Sequence, residues 1–382
     1  AFLQRLGRTG RRPGTRRNCL FLATSNDALI RAAGLIQLWS EGFVEPVVAP
    51  PEPFHILAQQ IMALTLQQGG LERARWREWV GGMPAFAAMA EPDIDAVIDY
   101  MLSRGILFED GGLLSLGTEG ERSFGYKNFL ELFSVFTSPP LVTVLHGRSE
   151  LGQVHESSFH IRGEETPILL LAGRSWKVSH VDWGRRVAHV EPAGEGGRSR
   201  WMGTGQPLSF ALCQAMRRVL ETGTCPGERS LRARRRLEEV AADFPWLEGD
   251  STVLVRHPSG EVRWWTFAGF RANRALGEGL AHLAARPPRS DNLWLGLRKD
   301  AEVHDVKDVV GVGRGAGADA IKVPVDAIAL DGLKFVACLP AALAERMMAR
   351  RLQDAAAVAW VLDHPLRSVT EAGRDDGRES HG

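Results

Sequence analysis

Residues 93–116 read Asp93-Ile-Asp-Ala-Val-Ile-Asp-Tyr-Met-Leu-Ser-Arg-Gly-Ile-Leu-Phe-Glu-Asp-Gly-Gly-Leu-Leu-Ser-Leu116. Ile94, Val97, Ile98, Met101 and Leu102 recur at helical spacing, so Asp93–Arg104 forms one amphipathic helix. Pro92 opens that helix and Gly105 closes it. Two short apolar runs follow, Ile106-Leu107-Phe108 and Leu113-Leu114-Ser115-Leu116, separated by Glu109-Asp110-Gly111-Gly112. Two glycines between apolar runs signal a tight hairpin. Upstream, Pro46, Pro50, Pro51 and Pro53 break the chain before a further helix over His55–Gln68. Helices closed by a helix and a hairpin predict a winged-helix domain over 46–126.

Downstream the texture turns to β-structure. Val142–Leu145, Ile168–Leu171, Trp176–Val181 and Val187–Val190 are short apolar strands between glycine-containing turns. A helix over Leu208–Leu220 and a hairpin over 253–267 come next. Helices at about 272–285 and 341–362 follow, and 366–382 reads as a polar, disordered tail. Upstream of the prolines, Phe2–Leu6 has helical character and Asn18–Ala23 suits a buried strand. Ala28–Leu38 again shows helical spacing.

The chain has 382 residues, enough for two or three domains. No apolar run reaches the roughly 18 residues of a membrane helix, which predicts a protein without membrane spans. Cys19, Cys213, Cys225 and Cys338 are too few and too scattered for a disulfide scaffold. A reduced, cytoplasmic protein is expected. Dispersed histidines and the lack of H-E-x-x-H or C-x-x-C predict no metal site. The 46 basic residues balance 46 acidic ones, so no global field draws the chain to nucleic acid. Distribution is uneven, however: residues 1–17 carry six Arg and no acid, and 229–236 carry five Arg. The run Arg232–Arg236, just before Glu238 and Glu239, reads as a solvated helix face with counter-charges.

The one specific motif is Gln4-Arg5-Leu6-Gly7-Arg8-Thr9-Gly10-Arg11. Its Q-x-x-G-R-x-G-R spacing is similar to motif VI of superfamily-two helicases, which lies on the second of their RecA-like domains. A nucleotide held between two domains needs positive charge delivered as its terminal phosphoryl group departs. A guanidinium stays charged and holds two phosphate oxygens at once. Gly7 and Gly10 permit a turn that aims Arg8 and Arg11 to one side.

Over most of its length the chain resembles the large helicase-related (Lhr) family. The resemblance runs through His55-Ile-Leu-Ala-Gln-Gln-Ile-Met-Ala-Leu, Phe133-Ser-Val-Phe, Ala172-Gly-Arg-Ser-Trp-Lys-Val, Trp201-Met-Gly-Thr-Gly, Val255-Arg-His-Pro-Ser-Gly and Phe270-Arg-Ala-Asn-Arg-Ala-Leu-Gly. It implies an α+β multidomain chain. Residues 1–45 would be the C-terminal end of a second RecA-like α/β domain, 46–126 the winged helix and 127–365 a β-rich accessory domain with helices. No G-x-x-x-x-G-K-[ST] loop and no DEAD/DEAH box occurs; Gly311-Val-Gly-Arg-Gly-Ala-Gly lacks the lysine. The chain therefore reads as the C-terminal part of a longer helicase lacking its first RecA-like domain, inactive as an ATPase alone.

On that reading Arg8 and Arg11 act catalytically, and together with Gln4 and Gly7 they meet ATP and Mg²⁺ held by the missing N-terminal helicase domain. The nucleic-acid partner is single-stranded DNA or an RNA–DNA hybrid. Trp176 has two candidate roles: the resemblance implies a ring touching the tracking strand, and the residue type alone suits a core position. Arg174 beside it is a candidate phosphate contact, as are Arg104 and Lys127 flanking the helix and hairpin. The alternatives are a non-enzymatic winged-helix nucleic-acid-binding module and a protein-interaction adaptor.

Overall fold

The structure is a computed structural model. It describes residues 2–10, 12–16, 18–125, 129–133, 141–155, 159, 168–171, 174–193, 207–285, 289–316, 321, 323–325, 329–330 and 333–371. Three sheets and intervening helices make it a mixed α+β chain.

In chain order, α1 is Phe2–Leu6, α2 Asn26–Ser40, α3 Phe54–Gln68, β1 Leu71–Glu72, α4 Pro84–Ala87, α5 Glu91–Ser103, β2 Leu107–Asp110, β3 Leu113–Leu116 and α6 Thr118–Phe124. Next come β4 Leu141–His146, β5 Ser149–His155, β6 Ile168–Leu171, β7 Arg174–Asp182 and β8 Val187–Pro192. Then follow α7 Phe210–Thr222, α8 Leu231–Ala241, β9 Thr252–Arg256, β10 Val262–Trp265, α9 Phe270–Gly279, β11 Trp294–Leu297 and α10 Val303–Ala316. The chain closes on α11 Ala341–Leu352, α12 Ala355–Asp363 and β12 Leu366–Thr370.

These elements gather into two compact units that are each discontinuous in sequence. One unit joins residues 1–49 to 207–324 and 349–382; the other joins 50–206 to 325–348. The division differs from the sequential domains expected from the sequence. The reason lies in α2, whose Ile30, Ala33 and Leu38 are buried. It packs against α7. At Gly34 a Cβ would stand 2.8 Å from Met216 Cγ, so only glycine allows this approach of the two helices. Such a long-range match has no local signature.

In the second unit the predicted helix and hairpin form as expected. Ile94, Val97, Ile98 and Met101 bury the apolar stripe of α5 against Phe54, Leu57 and Ile61 of α3. β2 pairs with β3 from Leu107↔Leu116 to Asp110↔Leu113. The two turn residues Gly111 and Gly112 have φ of 55° and 79°, the left-handed pair that a two-residue hairpin needs. β1 adds to the other edge of β3, giving the order β1-β3-β2. Arg346 on α11 forms ion pairs with Glu52 and Asp93, tying α11 to α5 and to the chain entering α3.

The unit also holds a five-stranded sheet ordered β5-β4-β8-β7-β6, in which β4 and β8 are parallel and the other neighbours antiparallel. Val142, Val144, Leu169, Trp176, Val178, Ala188 and Val190 form its buried face.

In the first unit the four-stranded sheet runs β11-β10-β9-β12. Its hairpin pairs Arg256 with Val262 and Val253 with Trp265. Trp264 is fully buried, and Trp265 packs among Phe244, Trp246, Phe267 and Trp294.

Two expectations are corrected. Residues 366–370, read as part of a disordered tail, form β12, parallel to β9 from Leu366↔Thr252 to Thr370↔Arg256. The polar side chains hid the strand because its backbone does the pairing. Residues 18–23, read as a buried strand, are not a strand, and Leu20 and Leu22 are 83% and 85% exposed. An apolar run becomes a strand only with a ladder partner, and none of the described strands pairs with it.

Candidate nucleic-acid interface

The amino-terminal motif forms a short helix and a clipped turn in the first unit. Phe2 lies 5.3 Å from the Phe21 ring and edge-on to Trp39 of α2 at 6.3 Å, and Leu6 is buried. These contacts seat α1. Gly7 N–H donates to Leu3 O and Arg8 N–H to Arg5 O, at 2.9 and 3.0 Å. Thr9 then closes the loop: its hydroxyl donates to Leu6 O, and Asn18 N–H donates to its Oγ1 at 3.1 Å. Gly10 has φ of 61°, the turn expected of the second motif glycine.

Gln4 and Arg8 both reach solvent from this turn. Arg5, Arg12 and Arg16 are exposed beside it, and none of these four arginines has an ion pair among the described residues. Such a set of guanidinium donors without carboxylates suits phosphate oxygens and does not suit a divalent cation. Arg11 lies outside the described residues. Among the described residues, no group of His, Cys, Asp and Glu could hold a metal ion.

Of the four candidate nucleic-acid contacts, the side chains of Trp176 and Arg104 lie among the described residues. Trp176 is 5% exposed and faces the core side of β7, with its ring 4.9 Å from that of His146. Period-two alternation puts Trp176 and Val178 inward and Lys177 outward. Of the two roles read for Trp176, burial supports the core one. Arg174 begins β7 opposite Leu171, and its side chain lies outside the described residues, as does all of Lys127.

Arg104 is exposed at the C-cap of α5, where the helix dipole favours a cation. It also helps Arg122 and Ser123 hold the Glu119 carboxyl below its ordinary range; hydrogen bonding from Arg122 is the largest cause.

The elements that would flank a duplex are acidic. Glu91, Asp95 and Asp99 are exposed on α5, and Glu109 and Asp110 on the hairpin. Asp95 and Asp99 pair with Arg73 at 3.3 and 2.7 Å and Glu91 pairs with Arg77, while Glu109 and Asp110 have no ion pair among the described residues. The unpaired carboxylates Glu109 and Asp110 make the hairpin tip a poor place for a phosphate.

Sequence reading missed two features of the first unit. The run Arg232–Arg236 was visible, but its counter-charges were assumed. Among the described residues, only Arg236 of that run pairs with an acid, Glu239, at 2.7 Å. The second is a cavity of about 350 Å³ lined by Leu38, Phe210, Gln214, Arg218, Trp360 and His364. Its aromatic wall stacks Trp360 on His364 at 3.7 Å. No periodicity in the sequence brings these residues together.

Of the four free thiols, Cys213, Cys225 and Cys338 are buried and Cys19 is exposed. Burial pushes Cys213 and Cys338 up to about 12, so neither supplies a thiolate near neutral pH. Set against known proteins, the chain matches no protein-family model, no curated protein and no solved structure.

Proposed function

We propose that this chain is the strand-gripping, C-terminal part of an ATP-dependent, single-strand-translocating helicase of the large helicase-related type. The observation that carries the reading is the turn at residues 4–10, which holds Arg8 in solvent with no ion pair among the described residues. An arginine left unpaired on a locally fixed loop is suited to meet phosphate from a second lobe. Bound ATP supplies the phosphoryl transfer that drives movement. Arg8 and Arg11 would neutralise its departing charge, with Gln4 and Gly7 shaping the same loop.

Two further features support the reading. The order β1-β3-β2 behind α3 and α5 is compatible with a winged helix. Leu20 and Leu22 present apolar surface of the kind that marks a covered face in the whole protein. The alternative in which the winged helix alone grips nucleic acid is disfavoured by Glu109 and Asp110 at the hairpin tip.

The test is affinity for a labelled single-stranded oligonucleotide across a salt titration, alongside ATP turnover. The chain is expected to bind the strand with an affinity that falls steeply with salt, and to hydrolyse no ATP by itself. Absence of affinity at 50 mM salt sinks the proposal, and ATP turnover by the chain alone would show that the site does not depend on a second lobe.

A further inference from the structure

Helix α8 carries the densest basic sequence in the chain, and its arginines divide into two groups. Arg229, just ahead of the helix, turns inward and donates to Thr224 Oγ1 at 3.0 Å. Arg236 is held by Glu239 at 2.7 Å and by Asn26 Oδ1 at 2.9 Å. Arg232, Arg234 and Arg235 are exposed and have no ion pair among the described residues.

Their placement runs against the helix that carries them. A helix is favoured by acids in its first turn and bases in its last. In α8 the three unpaired arginines occupy the amino-terminal half, and Glu238 and Glu239 stand near the carboxyl end. The arrangement costs helix stability and concentrates positive potential at one end. The helix is nonetheless fixed: Ser230 Oγ accepts from Ala233 N–H at 3.1 Å, and Leu237 and Val240 are 1% and 4% exposed.

Charge in the rest of the molecule is biased the same way. Counted over the sequence, the unit containing α8 has 30 basic and 24 acidic residues, whereas the other has 16 basic and 22 acidic. The balanced total conceals a basic unit and an acidic one.

We infer that Arg232, Arg234 and Arg235 form a docking face for the phosphodiester backbone of a nucleic acid. The inference deepens the function proposed above and rests on it. The occupant follows from charge and chemistry: guanidinium forks match phosphate oxygens, and several on one rigid element follow a polyanion without reading its bases. An anionic membrane surface would also require an apolar face beside the charges. The apolar side of α8 is buried, apart from Leu231.

The experiment compares the full chain with a Arg232→Ala/Arg234→Ala/Arg235→Ala variant and with the matching triple Lys variant, on single-stranded oligonucleotide from 50 to 300 mM salt. The Ala variant is expected to bind roughly ten-fold or more weakly at the lowest salt. Its log–log salt slope should be shallower by about 2, from about 0.7 per lost contact. The Lys variant keeps most of both, because charge is retained. Melting temperature of the Ala variant is expected to hold or rise, since an exposed charge conflict with the helix is removed.

If the wild type binds the strand and the Ala variant matches it in affinity and slope, the inference about α8 fails and the proposed function stands. If the wild type binds no nucleic acid, both fail. Binding of phosphatidylserine vesicles in an α8-dependent manner, with oligonucleotide binding unaffected, also overturns the inference.

Discussion

Trp176 and Arg8 show how differently two residues of comparable interest come through the sequence. Each is embedded in a recognisable stretch, but alternation along β7 turns Trp176 into the sheet core and the Thr9 clip leaves Arg8 in solvent. For Trp176 the expectation is a stability effect: Trp176→Ala should cost about 3–5 kcal/mol. Strand affinity measured below the melting point should be unchanged. A loss of the roughly 1–3 kcal/mol typical of a stacked base, with stability intact, would restore the stacking role.

Asp291 gives a second test at this scale. Its Oδ1 accepts from Leu293 N–H at 2.6 Å and Trp294 N–H at 3.0 Å, yet burial outweighs those bonds and raises its pKa above the ordinary aspartate value. A raised carboxyl favours the folded state only when protonated. The stability it contributes is therefore present below about pH 4 and is lost as pH rises through the raised value. Asp291→Asn keeps the acceptor without the charge. It should melt above wild type at pH 7, with the gap closing toward pH 4. A gap that widens in acid would contradict this account.

At the scale of elements, helices and hairpins with strong periodicity were the legible part. The stripe Ile94 to Met101 and the Gly111-Gly112 turn are stated locally, because side-chain spacing and backbone freedom are local properties. β12 was illegible for the opposite reason. Its polar sequence is held by backbone pairing with β9 and by Arg367, which reaches Ser251 Oγ at 2.6 Å and Glu248 O at 2.8 Å. Buried Arg217 donates to the same loop, at Ser251 O, 2.9 Å away. Ending the chain after Pro365 should remove one border of β9 and the Arg367 contacts. The expected cost is on the order of 3 kcal/mol or more, at about 1 per lost hydrogen bond. Thermal melting and limited proteolysis near 246–256 would check it, and an unchanged melting curve would show that the tail is dispensable.

For the whole molecule, the sequence by itself determined the α+β character, the helix and hairpin ending at Leu116, four of the five strands of the larger sheet (β5 escaped it) and the amino-terminal arginine turn. Each is written in spacing and turn chemistry within a few residues. Only the tertiary structure decided that α2 belongs with α7, that 366–370 completes a sheet, and that the balanced total divides into a net basic unit and a net acidic one. It also decided which arginines of the 229–236 run are spent on internal partners and which face solvent. Pairing and burial join residues far apart in the chain, and no local pattern records which distant neighbour will supply the contact.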